Sequence, residues 1–131
     1  MKKVTYFAVM EPAGGGRYGV YFPDLLGCTS MGDNFEDACR MAEEALGLHL
    51  WGMERDGDFI PAPTAPPFED MPEGGIIAAV TIFPELVKNE MDNRAIKTNV
   101  TIPAWLKELA EKERINFSQL LQTALKERLQ V

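Results

Sequence analysis

The chain has 131 residues, 46% of them hydrophobic and 25% charged, and its 20 Asp+Glu against 13 Lys+Arg leave a net charge of −7. This composition excludes a disordered or low-complexity chain, and the acidic total excludes a uniformly basic nucleic-acid coat. Two cysteines are too few for a secreted disulfide framework, and no apolar run is long enough for a signal-peptide core or a membrane span, so the cytoplasm is the expected compartment. The charge is unevenly placed. Residues 1–90 hold 15 acids and 6 bases, a net of −9, whereas residues 91–131 hold 5 acids and 7 bases, a net of +2. Two parts with different partners are expected: an acidic part suited to a basic protein and a mildly basic part suited to nucleic acid.

Lys3 to Met10 is rich in Val, Thr, Tyr and Phe and predicts a strand. Glu11 to Arg17 contains Gly14-Gly15-Gly16 and predicts a hairpin turn into a second strand, Tyr18 to Phe22. No helix follows these glycines, so they are read as a hairpin loop and not as a phosphate cradle. Pro23 to Gly27 turns the chain into a short third strand, Cys28 to Met31. Asp33 and Asn34 are both good helix caps, and Asp37 stands where an acid supports a cap at Asn34. A helix follows from Phe35 to about Arg55. Its apolar stripe is Phe35, Ala38, Cys39, Ala42, Leu46, His49 and Met53, with Glu36, Arg40, Glu43, Glu44 and Glu54 on the other side.

Residues 61–75 are rich in Pro and Gly and predict an extended loop. Ile76 to Phe83 is an almost continuous apolar run, which predicts a central strand buried on both faces. The first part is therefore α+β in the order β-β-β-α-β, with a helix on one face of a sheet. Pro84 to Asn93 is polar and reads as a linker with a helical turn. The pattern then changes. Ile96 to Ile102 alternates with period two, Ala104 to Glu113 and Phe117 to Leu129 have helical periodicity, and Asn116 is placed to cap the second helix.

One strand and two short helices cannot bury an adequate core alone, and a lone strand leaves its edge open. Both problems disappear if two copies pair their strands antiparallel and interlock their helices, as in a homodimer or a higher even oligomer. Val100 and Ile102 would then face the helices, while Lys97, Asn99 and Thr101 would point outward. Lys donates to guanine, Asn bonds adenine bidentately, and Thr bonds a base or packs on the thymine methyl. The start of the second helix, Asn116, Phe117 and Ser118, would hold a phosphate. Asn99-Val100-Thr101-Ile102-Pro103, with Asn116-Phe117-Ser118-Gln119-Leu120-Leu121, resembles the ribbon-helix-helix family, whose two-stranded ribbon enters the major groove. Many relatives carry Gly in the turn between the helices, where this chain has Arg114.

The N-terminal part has a resemblance of its own. Tyr21-Phe22-Pro23-Asp24-Leu25-Leu26-Gly27-Cys28-Thr29-Ser30-Met31-Gly32-Asp33, then Phe35-Glu36-Asp37-Ala38, Ala42-Glu43-Glu44-Ala45-Leu46, Asp56-Gly57-Asp58 and Ile60-Pro61-Ala62-Pro63, is similar to the HicB antitoxin family. The resemblance implies a partial RNase H-like domain over 1–83 that binds a HicA toxin. It further implies a linker over 84–93 and a ribbon-helix-helix module over 94–131 that dimerises, binds operator DNA and represses the antitoxin's own operon. The toxin would be a small basic mRNA-cleaving ribonuclease, and the acidic surplus of 1–90 suits such a partner. Glu43, Glu44 and Trp51, together with loop 61–75, are the expected toxin-facing surface. Trp51 alternatively packs under that loop.

No catalysis is expected. Two-metal nuclease chemistry needs converging carboxylates, and the strands hold almost none. His49 lies on the apolar stripe and reads as a packed residue, Cys28 and Cys39 read as small buried thiols, and no ligand spacing suits a metal. No cofactor is implied. The competing readings are an orphan ribbon-helix-helix regulator without a toxin and an enzyme on the N-terminal part.

Overall fold

The computed structural model describes residues 1–131, and the chain divides into two compact units, Met1–Arg94 and Ala95–Val131. In the first, strands β1 (Val4–Pro12), β2 (Tyr18–Tyr21) and β3 (Thr29–Gly32) precede the long helix α1 (Phe35–Asp56), which is followed by strand β4 (Ile76–Ile82) and helix α2 (Pro84–Asp92). The second contains helices α3 (Ala104–Lys112) and α4 (Phe117–Leu129).

The sheet is antiparallel throughout, in the order β3-β2-β1-β4. Alternation along β1 sends Tyr6, Ala8 and Met10 to one face, where they form the core with Val20, Val80, Ile82 and the α1 residues Ala38, Ala42, Leu46 and Leu50. Each fully buried Leu of this stripe contributes about 1.5–3 kcal/mol by leaving water. The stripe differs from the expected one at its ends. Leu50, not His49, enters the core, since four-residue steps from Ala38 through Ala42 and Leu46 arrive at 50. Phe35 instead makes an edge-to-face contact with Tyr18, ring centroids 5.4 Å apart.

Local chemistry sets the limits of α1. Asn34 Oδ1 accepts from the Asp37 N–H at 2.8 Å, and the Asp37 carboxylate accepts in turn from the Asp33 N–H at 2.9 Å. Gly57, at φ 73°, closes the other end in the left-handed region that a side chain disfavours.

Two expectations are corrected here. Strand β4 is an edge and not a central strand: it pairs only with β1, and Ile76 is 42% exposed. An apolar run signals burial but does not say how many neighbours a strand has, and here β1 takes the centre. The segment 84–93, expected as a linker with a helical turn, forms the nine-residue helix α2 and belongs to the first unit. Pro84 suits the first helical turn because its missing N–H would be unpaired there anyway. The helix then seats Val87 over Gly47 of α1, where an added Cβ would stand 3.1 Å from Val87 Cγ2.

In the second unit, α3 ends with Arg114 at φ 54°. Its N–H donates to Glu111 O at 3.1 Å, and the Ile115 N–H donates to Ala110 O at 3.0 Å, which is a Schellman closure. The arginine thus accepts the backbone that glycine would adopt freely, at a cost of about 1 kcal/mol. Arg114→Gly is expected to stabilise this unit by about that amount, read as a higher urea midpoint of helix circular dichroism at fixed chain concentration. An unchanged or lower midpoint would contradict the assignment of strain to this residue.

Candidate functional site

The first unit carries two hollows, one along each side of the place where α2 rests on α1, and Gly47 borders both. One is an open groove of about 1060 Å³. Glu43 and Glu44 from α1 and Glu90 from α2 stand on it, and its apolar lining includes Leu48, Phe83, Leu86 and Met91. Arg40 and Arg94 also line it, and Arg40 is ion-paired with Asp37. The other hollow, about 710 Å³, is walled by Val4, Tyr6, Leu50, Trp51, Ile60 and Ile82, with charges of both signs around it.

Trp51 is half-buried in this second hollow, and the Arg55 guanidinium lies 4.7 Å from the centroid of its ring. The beginning of the Pro-rich loop is tied down nearby. The Tyr6 hydroxyl donates to Pro61 O, and the Thr64 N–H donates to Asp24 Oδ2 at 2.7 Å. Burial, and secondarily the Asp24 charge, hold the Tyr6 phenol above its ordinary pKa, so it remains a donor at neutral pH. The structure therefore places Glu43 and Glu44 together on one hollow and Trp51 in the adjoining one.

Cys28 and His49 line neither hollow. Cys28 is buried, its thiol donates weakly to Ala45 O at 3.6 Å, and burial pushes its pKa up to about 11, which disfavours the reactive thiolate. His49 is half-buried on α1.

In the second unit, Asn116 Oδ1 accepts from the Gln119 N–H at 3.1 Å, so the expected cap of α4 is present, and Phe117 and Ser118 form its first turn. Lys97, Asn99 and Thr101 are exposed. The expected strand Ile96–Ile102 is not formed in the single chain, and Val100, expected to face the helices, is 63% exposed. The physical reason is that a strand is defined by its ladder: its N–H and C=O groups need a partner strand, and this unit contains no other. The same lack extends through α3 and α4. No residue of either helix is buried, although Leu106, Leu109, Leu120, Leu121 and Leu125 recur at helical spacing.

The apolar wall of the groove escaped sequence reading. Val87 and Met91 are four apart and follow Leu86 after a helix-starting Pro84, a weak amphipathic signal masked by the charges between them. Leu48 lies off the main stripe of α1, and nothing local marks it as a wall.

A family described as HicB-like antitoxin of bacterial toxin-antitoxin systems matches residues 6–124, which spans both units. The chain belongs to the HicB-like antitoxins. Among solved structures it is similar to the crystal structure of antitoxin HicB3, at 29% identity and a TM-score of 0.51, over 95% of this chain and 97% of that one. It shares its fold with a chain of the toxin-antitoxin complex from Streptococcus pneumoniae, at 23% identity and a TM-score of 0.58, over 97% and 99% of the two chains. The antitoxin HicB of Burkholderia pseudomallei has the same fold, at 23% identity and a TM-score of 0.53, over 97% of each chain. An uncharacterized 14.9 kDa protein from the rep-hol intergenic region of Haemophilus phage HP1 is 33% identical over 92 residues, which is 68% of this chain and 66% of the phage protein. No helix of this HicB-like chain is long and apolar enough to cross a membrane.

Proposed function

We propose that this HicB-like chain neutralises an mRNA-cleaving HicA-like toxin by direct binding through residues 1–83 and represses its own operon through residues 94–131, acting in the cytoplasm as a homodimer or higher even oligomer. The β1-β2-β3-α1-β4 order supports a partial RNase H-like reading of the first unit. The observation that carries the proposal is the second unit's lack of any buried residue: 37 residues with an apolar stripe on each helix cannot offset the entropy of their own ordering. A second copy, paired along 96–102, would bury Val100, Ile102 and the leucines at once. It would also satisfy the strand's backbone and turn Lys97, Asn99 and Thr101 outward toward base edges. The first turn of α4 would then hold phosphate through the Phe117 and Ser118 N–H groups, beside the cap at Asn116.

Neutralisation would be steric and electrostatic, with no bond made or broken by this chain. Glu43 and Glu44 would meet cationic side chains of the toxin, and Trp51 would add an apolar anchor beside them. The test is co-expression with a HicA-like toxin. Growth should be restored, and the two proteins should purify together; persistent growth arrest without a complex would refute the antitoxin reading and favour the orphan regulator. Within that complex, Glu43→Lys with Glu44→Lys is expected to lower toxin affinity about tenfold at low salt and to flatten its salt dependence. Unchanged affinity and slope would remove these two carboxylates from the interface.

A further inference from the structure

We infer that the groove between α1 and α2 receives one amphipathic helix of a cationic partner protein, with the partner's apolar side chains against Leu48, Phe83, Leu86 and Met91 and its Lys or Arg side chains against Glu43, Glu44 and Glu90. The inference deepens the antitoxin reading and rests on it for the partner's identity. Three observations converge on this occupant. The groove's apolar side chains face water although they belong to a folded unit: Phe83 is 39% exposed, Leu48 42% and Leu86 51%. An apolar patch framed by charge is the usual form of a protein contact.

The frame has a sign. Three carboxylates stand around the patch, Arg40 is already occupied by Asp37, and Arg94 is the remaining cation. A second copy of this unit is a poor occupant, since residues 1–90 carry −9 and two such units repel. A cationic partner gains from the same field. The walls also select a helix over an extended strand. Most of the lining comes from α1 and α2, whose interior backbone groups are already paired within each helix. An extended segment lying there would leave its N–H and C=O groups unpaired, with only the end of β4, Thr81 to Phe83, to offer an edge. A helix brings its backbone already paired and needs only side-chain contacts, at steps of three and four residues.

The experiment is an NMR titration of the full chain with a short helix-forming peptide that has leucine on one face and lysine on the other. A peptide of equal charge with serine in place of leucine is the control. The leucine peptide should shift the amides of Leu48, Leu86 and Met91 in the wild-type chain. Leu86→Asp, and separately Leu48→Asp, should weaken binding by roughly tenfold or more, while Phe59→Asp, outside the groove, should leave it unchanged. Both groove residues are exposed, so these variants keep the fold. Equal binding of the serine peptide, or wild-type affinity in both groove variants, would overturn the inference. A chain that neutralises a HicA-like toxin but fails this titration loses the groove alone; a chain that passes the titration but neutralises no toxin keeps the groove and loses the toxin.

Discussion

Gly32→Ala should lower the melting temperature of the first unit by at least roughly 10 °C. Gly32 ends β3 where the chain turns into α1, and it is buried. A Cβ built there would stand 2.2 Å from Ala38 N, 2.4 Å from Ala38 Cα and 2.8 Å from Ala38 Cβ. Two of these atoms are backbone in the first turns of a helix, and Ala38 is itself in the core, so neither partner can swing aside. The helix start must lift from the sheet or the strand must leave its ladder with β2. Overpacking of this kind costs about 3 kcal/mol or more, against a total stability of about 5–15 kcal/mol for a domain. At about 4–8 °C per kcal/mol for a unit of this size, the shift is easily read by calorimetry. Gly52→Ala is the internal comparison. Gly52 lies within α1, a Cβ there meets nothing within 4 Å, and removing a helical glycine should stabilise by up to about 1 kcal/mol. A Gly32→Ala protein that melts within a degree or two of the wild type would show that the approach of β3 to α1 is not a constraint on this fold.

The second large effect concerns DNA. Under the proposed ribbon, each dimer presents Asn99 twice, and removing one base-edge hydrogen-bonding pair costs about 1–3 kcal/mol. Asn99→Ala is therefore expected to cut the ratio of operator to scrambled-DNA affinity by roughly thirtyfold or more, measured by fluorescence anisotropy at one fixed salt concentration. Asn99 is exposed and caps nothing, so the helical circular dichroism should not change. Lys97→Ala offers a contrast. If Lys97 meets phosphate in place of a base, affinity should fall on both DNAs alike, and the salt slope should decrease by about 1 for each phosphate no longer neutralised. An unchanged affinity ratio in Asn99→Ala would remove this residue from base recognition.

Much of the architecture is legible in short-range pattern. The Val, Thr, Tyr and Phe of Lys3 to Met10 and the Gly-rich turn before Tyr18 locate β1 and β2, and Asn34 and Asn116 locate the starts of α1 and α4. These signals are readable because they act within a few residues: a cap bonds an N–H three positions on, and β-branched and aromatic side chains favour extended backbone where they stand. The differences between pattern and structure share a cause. The apolar run Ile76 to Phe83 points to the centre of the sheet, yet forms its edge, because hydrophobicity reports burial without reporting neighbours. Helix α2 reads as a linker because it packs on α1, where Gly47 lies 40 positions before its partner Val87. The groove is invisible along the chain for the same reason, since Leu48 and Leu86 become one surface only when α2 packs on α1.

By itself, the order of residues determined where α1 and α4 begin, that Lys3 to Met10 and Tyr18 to Phe22 are extended, and that the acidic charge lies in residues 1–90. Only the tertiary structure decided that β1 and not β4 holds the middle of the sheet, and that α2 closes onto α1 to leave an acid-rimmed apolar groove. The physical reason is range. Capping and periodicity are settled by neighbours along the chain, whereas strand order and helix docking depend on which distant surfaces exclude water from one another, a choice that no local window of sequence encodes.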